Sequence, residues 1–179
     1  MRSFLLVLIS TLATVLTADG QVQGPRASGG ADTILHVDGG AGRAQGFTLA
    51  GLKGLPHLKI AVVDRDGSTT YEGVALEDLL RLVDAPVGER LRGKEIAAHA
   101  VRVTGGDGYS AYFMLPEIDS SFTDQKIIVA YSRDGRPIEG RDGPLEIVVP
   151  REKRHARWVR GAAAIEVIEA IEVIDLPRK

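Results

Sequence analysis

Two short β-branched runs set the frame into which the rest of this chain must fit. Ile127-Ile128-Val129-Ala130-Tyr131 is followed by a break at Asp134-Gly135, and Pro144-Leu145-Glu146-Ile147-Val148-Val149-Pro150 comes after a polar, glycine-containing excursion from Arg136 to Gly143. Runs of this length, bounded by Asp-Gly or proline, read as buried strands with a loop between them. The loop lies at strand ends, as does the basic segment that ends on the only tryptophan, Trp158. Ligand-binding groups usually sit at such ends. The pattern predicts the core of a mixed α/β domain with a candidate site at one rim.

The length, 179 residues, fits one domain and leaves little for a second. Residues 1–18 do not belong to its core. Arg2 gives a positive start, and Phe4–Ile9 is unbroken apolar sequence that Leu12–Leu16 continues more weakly. An apolar part of about a dozen residues is short for a membrane span and right for a signal peptide. Residues 19–32, which contain Gly, Ser and Pro without periodicity, read as a flexible leader, and 33–179 as a single domain. The expected location is periplasmic or secreted, with no membrane span after signal cleavage.

Cysteine is absent, so an exported domain of this sequence has no disulfide framework and relies on its core. It also has no thiolate for zinc, iron–sulfur or molybdenum. Cleavage would remove one charge, Arg2, and take the formal charge from −2 to −3. That balance does not point to a nucleic-acid partner.

Along the expected domain, Thr33–Asp38 reads as a first strand that Phe47-Thr48-Leu49 restarts, and Thr48 as the N-cap of a short helical turn. Leu58–Val63 and Thr69–Val74 read as a hairpin around Asp64-Arg65-Asp66-Gly67. Leu76, Leu79, Leu80 and Val83 form one apolar helical face, with Glu77, Asp78 and Arg81 on the other. Ile96–Val103 reads as a strand that changes face, and Gly105-Gly106-Asp107-Gly108-Tyr109 as a turn before a returning strand, Ser110–Leu115. A near-repeat closes the chain, Ala164–Glu169 followed by Ala170–Asp175, and its periodicity fits strand or helix.

Few constellations carry chemistry. Arg151, Lys153, Arg154, Arg157 and Arg160, with His155 among them, could hold an oxyanion through arginine forks; a solvated turn is the other reading of the same charges. Trp158 reads as core. Gly105–Tyr109 has no phosphate-loop pattern and reads as a turn presenting the Tyr109 phenol. His36, His57, His99 and His155 show no metal-ligand spacing, so no side-chain metal site is expected. Asp64, Asp66, Glu72, Asp107 and Asp142 read as turn carboxylates.

An ordered set of short motifs is more specific than any of these. It comprises Tyr71-Glu72-Gly73-Val74-Ala75-Leu76-Glu77-Asp78-Leu79-Leu80, Asp107-Gly108-Tyr109, Val129-Ala130-Tyr131 with Gly135-Arg136-Pro137-Ile138, Gly143–Pro150, and Arg157-Trp158-Val159. Together they resemble the small exported members of the sulfite-oxidase-like, oxidoreductase molybdopterin-binding domain family, over about Thr33 to Val167. The resemblance implies an α+β fold, a mixed-sheet, barrel-like core with a few short helices. It also implies molybdopterin as cofactor, its pyrophosphate near Arg141, His155 and Arg157, and it places Tyr109 towards the catalytic pocket. Two departures bear on chemistry. The family's metal-binding cysteine falls near Val62-Val63-Asp64, where this chain has none, and Glu146 stands where the family often has arginine.

The expectation is therefore an exported sulfite-oxidase-like domain without cysteine-ligated molybdenum catalysis. It would bind a small anionic ligand or a periplasmic protein at a rim formed by Tyr109, Arg141, His155 and Arg157. Two alternatives stand beside it. One is a molybdopterin-dependent oxidoreductase whose metal is held by the pterin dithiolene alone. The other is a non-catalytic interaction module using the acidic segment Ile165–Asp175.

Overall fold

The computed structural model describes residues 32–40, 43–64 and 67–170. The stretch read as a signal peptide and nearly all of the leader lie outside these residues, as do Arg65-Asp66 and the chain from Ile171 onward. Among the described residues ten strands form two sheets. The first has the order β2 (Ala44–Phe47), β1 (Leu35–Asp38), β10 (Ala162–Glu169), β5 (His99–Gly105), β6 (Ser110–Met114). The second runs β3 (Leu58–Asp64), β4 (Gly67–Ala75), β7 (Ile128–Arg133), β8 (Arg136–Pro137), with β9 (Glu146–Val148) also on β7. The α+β expectation holds, with two separate sheets in place of a barrel.

The two runs that frame the sequence are β7 and β9, paired antiparallel with Ile128 opposite Val148 and Ala130 opposite Glu146. They sit at the centre because every residue from Ile127 to Tyr131 and from Leu145 to Val149 is buried. Asp134 (φ 49°) and Gly135 (φ 74°) turn β7 into β8 with two left-handed residues, the backbone a tight hairpin with right-handed strand twist needs. Side chains of both sheets join one apolar cluster, among them Val101, Phe113 and Ile165 of the first and Tyr71, Val129 and Ile147 of the second.

Four short α-helices complete the fold among the described residues. Helix α1 (Leu49–Lys53) is capped by Thr48, whose Oγ1 accepts the Gly51 N–H at 3.0 Å. In α2 (Leu76–Leu82) the apolar face falls as the spacing predicts, and Leu76, Leu79, Leu80 and Val83 are fully buried. Each such leucine contributes roughly 1.5–3 kcal/mol of burial. Glu77 departs from its expected solvent face. It is buried, and it accepts hydrogen bonds from the Ser120 hydroxyl (3.0 Å) and amide (3.2 Å) and pairs with Arg81 and Lys126. The turn after α4 (Leu115–Ile118) covers that side of α2, which helical periodicity alone does not reveal.

Other expectations are corrected. Glu95–Ala98 is a helical turn, α3, and the strand begins only at His99; the apparent change of face is the junction between them. Ala44–Phe47 folds back antiparallel on β1 instead of continuing it. Glu72 lies inside β4 and not at a turn. The helix-or-strand ambiguity of the near-repeat resolves as strand for its first copy. There β10 pairs parallel with β1 and antiparallel with β5, contacts that periodicity cannot encode.

Candidate functional site

Three connections meet at one end of the sheets: the β5–β6 turn, the β8–β9 link and the β9–β10 link. Backbone bonds stitch them together. The Gly106 N–H donates to the Gly161 carbonyl, the Gly161 N–H to the Asp142 carbonyl, and the Ala162 N–H to the Leu145 carbonyl, each at 2.9 Å. Approach is close enough at Gly143 that a Cβ would lie 2.3 Å from the Ile138 carbonyl oxygen, so only glycine fits. These loops line a cavity of about 440 Å³ that includes Gly106, Asp107, Arg141, Gly143, Arg160 and Gly161.

The charges in this cavity are unequal in commitment. Arg160 reaches Asp142 at 3.3 Å, and Asp107 accepts the Tyr109 N–H at 3.0 Å, locking the turn. Arg141 is exposed, has no acidic partner among the described residues, and is one of the residues that line the cavity.

The remaining sequence-derived candidates gather elsewhere, around the 3-10 turn His155–Arg157. The Tyr109 hydroxyl donates to the Ala156 carbonyl, and the His155 ring stacks on Trp158 with centroids 3.7 Å apart. Arg157 lies over the Phe113 ring at 4.7 Å, donates to Glu152 (2.6 Å) and to the Tyr112 carbonyl (3.2 Å), and pairs with Glu117 (2.8 Å). Burial alone would ease its proton off, but Glu117 and Glu152 hold it more firmly than a free guanidinium. Two carboxylates thus compensate Arg157 already. Tyr109, His155 and Arg157 come together; Arg141 lines the neighbouring cavity with Arg160.

Sequence reading missed a buried cluster behind this rim. Trp158 is core, as expected, and meets the edge of Tyr71 at 5.5 Å; Arg133 lies over the same ring at 5.5 Å. Arg133 also binds the buried Glu146 at 2.6 Å. Burial pushes the Glu146 carboxyl above the usual carboxylate range despite that arginine. The Arg133 Nε and Trp158 Nε1 donors, both buried, find no acceptor among the described residues. The substitution of glutamate for arginine at 146 was the one legible signal of this pair.

No family model matches the chain, and no curated protein matches it by sequence. Among solved structures, the sulfane dehydrogenase SoxCD from Paracoccus pantotrophus aligns over 74% of this chain at a TM-score of 0.57 and 15% identity. The two share a fold. This chain spans 37% of that one's length, and at such identity the likeness speaks for architecture alone. It agrees with the sulfite-oxidase-like α+β fold expected from the motifs.

The donor set can be tested against the implied molybdopterin. The strand stretch where the family's cysteine falls carries Val62, buried, and Val63, 79% exposed, neither able to ligate a metal, and Asp64, which offers only a hard carboxylate oxygen. No group of three or more His, Cys, Asp or Glu among the described residues is arranged to hold one. Thiolate is the soft ligand that such a metal takes from a protein. The metal end of the cofactor therefore does not fit these side chains.

Proposed function

We propose that this chain is a sulfite-oxidase-like domain that binds a small oxyanion in the Arg141–Arg160 cavity and does not carry out thiolate-ligated molybdenum chemistry. The observation that carries the proposal is Arg141, a cation without an acidic partner among the described residues, beside backbone brought close at Gly106, Gly143 and Gly161. A guanidinium there offers a planar fork of donors to a sulfur or phosphorus oxyanion, while glycine leaves room for close approach. Tyr109, His155 and Arg157 then act as the wall that fixes the β9–β10 link and do not touch the anion.

Export belongs to the same proposal and rests on residues 1–18; the mature domain would work in the periplasm or outside the cell. Amino-terminal sequencing of protein recovered from the periplasmic or culture fraction checks it, since a start near residues 19–21 is expected and retention of Met1 contradicts it.

Titrating the purified protein with sulfate by calorimetry tests the site. Arg141→Ala should weaken sulfate binding about tenfold or more, the scale of a charge-assisted hydrogen bond, and unchanged affinity would remove the site from consideration. Molybdenum and pterin content, measured on the same preparation, separates this reading from an oxidoreductase whose metal is held by the dithiolene alone.

A further inference from the structure

A second cluster of ionisable groups lies on the α1 side of the second sheet and takes no part in the site above. The register brings Lys59 of β3 opposite Glu72 of β4, and Glu72 opposite Ser132 of β7, so the three stand in one row on one face. The register slips between Glu72 and Gly73, a local irregularity of the kind that re-aims side chains. Helix α1 and the loop after it bring Lys53 and His57 over this row. Together with Glu72, Tyr131, Ser132, Gly135 and Pro137 they line a cavity of about 330 Å³.

Glu72 is already fully engaged. Lys59 Nζ lies 3.4 Å and His57 Nε2 3.7 Å from its oxygens, and the Tyr131 hydroxyl donates to it at 3.2 Å. Burial alone would raise its pKa, but these donors bring it below the usual range, so it is a resident carboxylate. Lys53 is different. Its ammonium sits 5.7 Å from the Tyr131 ring centroid, and it has no acidic partner among the described residues. The Ser132 hydroxyl likewise has no hydrogen-bond partner among the described residues, and a Cβ added at Gly135 would meet nothing within 4 Å, so the cavity is open at the β7–β8 turn.

We infer that this cavity is a second, independent site for a small oxyanion, a carboxylate or phosphate group, held by the Lys53 ammonium and the Ser132 hydroxyl with His57 alongside. Lys53 brings a permanent positive charge to its wall, and the carboxylate there, Glu72, is occupied by other donors. An incoming anion would therefore meet free donors at Lys53 and Ser132. Glu72 sets the affinity. It competes for Lys59 and His57, and its removal releases both towards the ligand.

The test is an amide correlation NMR titration of the domain with inorganic phosphate and, separately, with acetate, following the Ser132 and Gly135 signals. Saturable shifts with either anion are expected; saturation by acetate marks a carboxylate site and saturation by phosphate alone a tetrahedral one. Lys53→Met keeps the stem against the Tyr131 ring and removes the charge, and should weaken binding at least tenfold. Glu72→Gln should strengthen it severalfold. Arg141→Ala should leave it unchanged, which separates this site from the other. Absence of saturable shifts at Ser132 and Gly135, or binding equally tight in Lys53→Met, overturns the inference. Binding lost in Arg141→Ala and kept in Lys53→Met does the same.

Discussion

Arg133 reaches Glu146 at 2.6 Å across the edge where β7 meets β9, and the carboxylate it meets is nearly inaccessible to water. The pair ties a strand of the second sheet to the loops of the candidate site, because Arg133 also touches Asp142 at 3.4 Å and Asp142 receives Arg160. A positive charge that a ligand could have used is thereby held by the protein itself.

Removing the carboxylate should show how that charge is held. Glu146→Ala leaves a partly buried guanidinium without its main partner and should destabilise the fold by about 1–3 kcal/mol, less than a fully buried pair because Arg133 keeps some exposure. Urea unfolding measures it. Glu146→Gln, which keeps a hydrogen-bond acceptor, should cost less.

The direction of the Glu146 shift fixes its pH dependence. Its folded pKa lies above the unfolded value, so ionisation costs stability at neutral pH, and that cost is relieved as pH falls through the folded pKa towards the unfolded one. Between pH 7 and the ordinary carboxylate range, the wild type should gain stability relative to Glu146→Gln. Paired unfolding curves at several pH values check this, and the comparison cancels groups common to both proteins.

Asp119 should behave in the opposite sense. It is fully buried, accepts the Gly88 N–H and, at 2.8 Å, the Ser121 N–H. Burial alone would raise its pKa, but these bonds bring it below the usual range, so its contribution is present at neutral pH and lost as pH falls through the folded value. Asp119→Ala should cost about 1–2 kcal/mol by removing the acceptor of two part-buried amides. Thermal unfolding measured at neutral pH checks the size.

What the sequence made legible follows from locality. β7 and β9 were readable as short, continuously apolar runs bounded by turn residues, and the apolar face of α2 because its burial repeats at the helical period. Glu77 was misplaced because its partners, Ser120 and Lys126, arrive from a distant turn. The strand assigned from Ile96 began three residues late because a single helical turn leaves no periodic trace. The rim was half legible for the same reason. Tyr109, His155 and Arg157 do assemble, but only the backbone bridges at Gly106 and Gly161 reveal that Arg141 and Arg160 share a cavity of their own.

The wall and the site should separate under mutation. Arg157→Ala removes two ion pairs and the contact with Phe113 and should destabilise by about 1–2 kcal/mol while leaving sulfate affinity unchanged. Arg141→Ala should do the reverse, within about 0.5 kcal/mol of wild-type stability, since Arg141 pairs with no carboxylate among the described residues. Calorimetric titration and urea unfolding of both variants check the pair.

The central claim of the proposed function is that this domain binds its oxyanion without a molybdenum cofactor. Elemental analysis of molybdenum in the protein purified from cells that express it naturally tests this most directly. The account predicts far less than one atom per chain, and a stoichiometric content would contradict it.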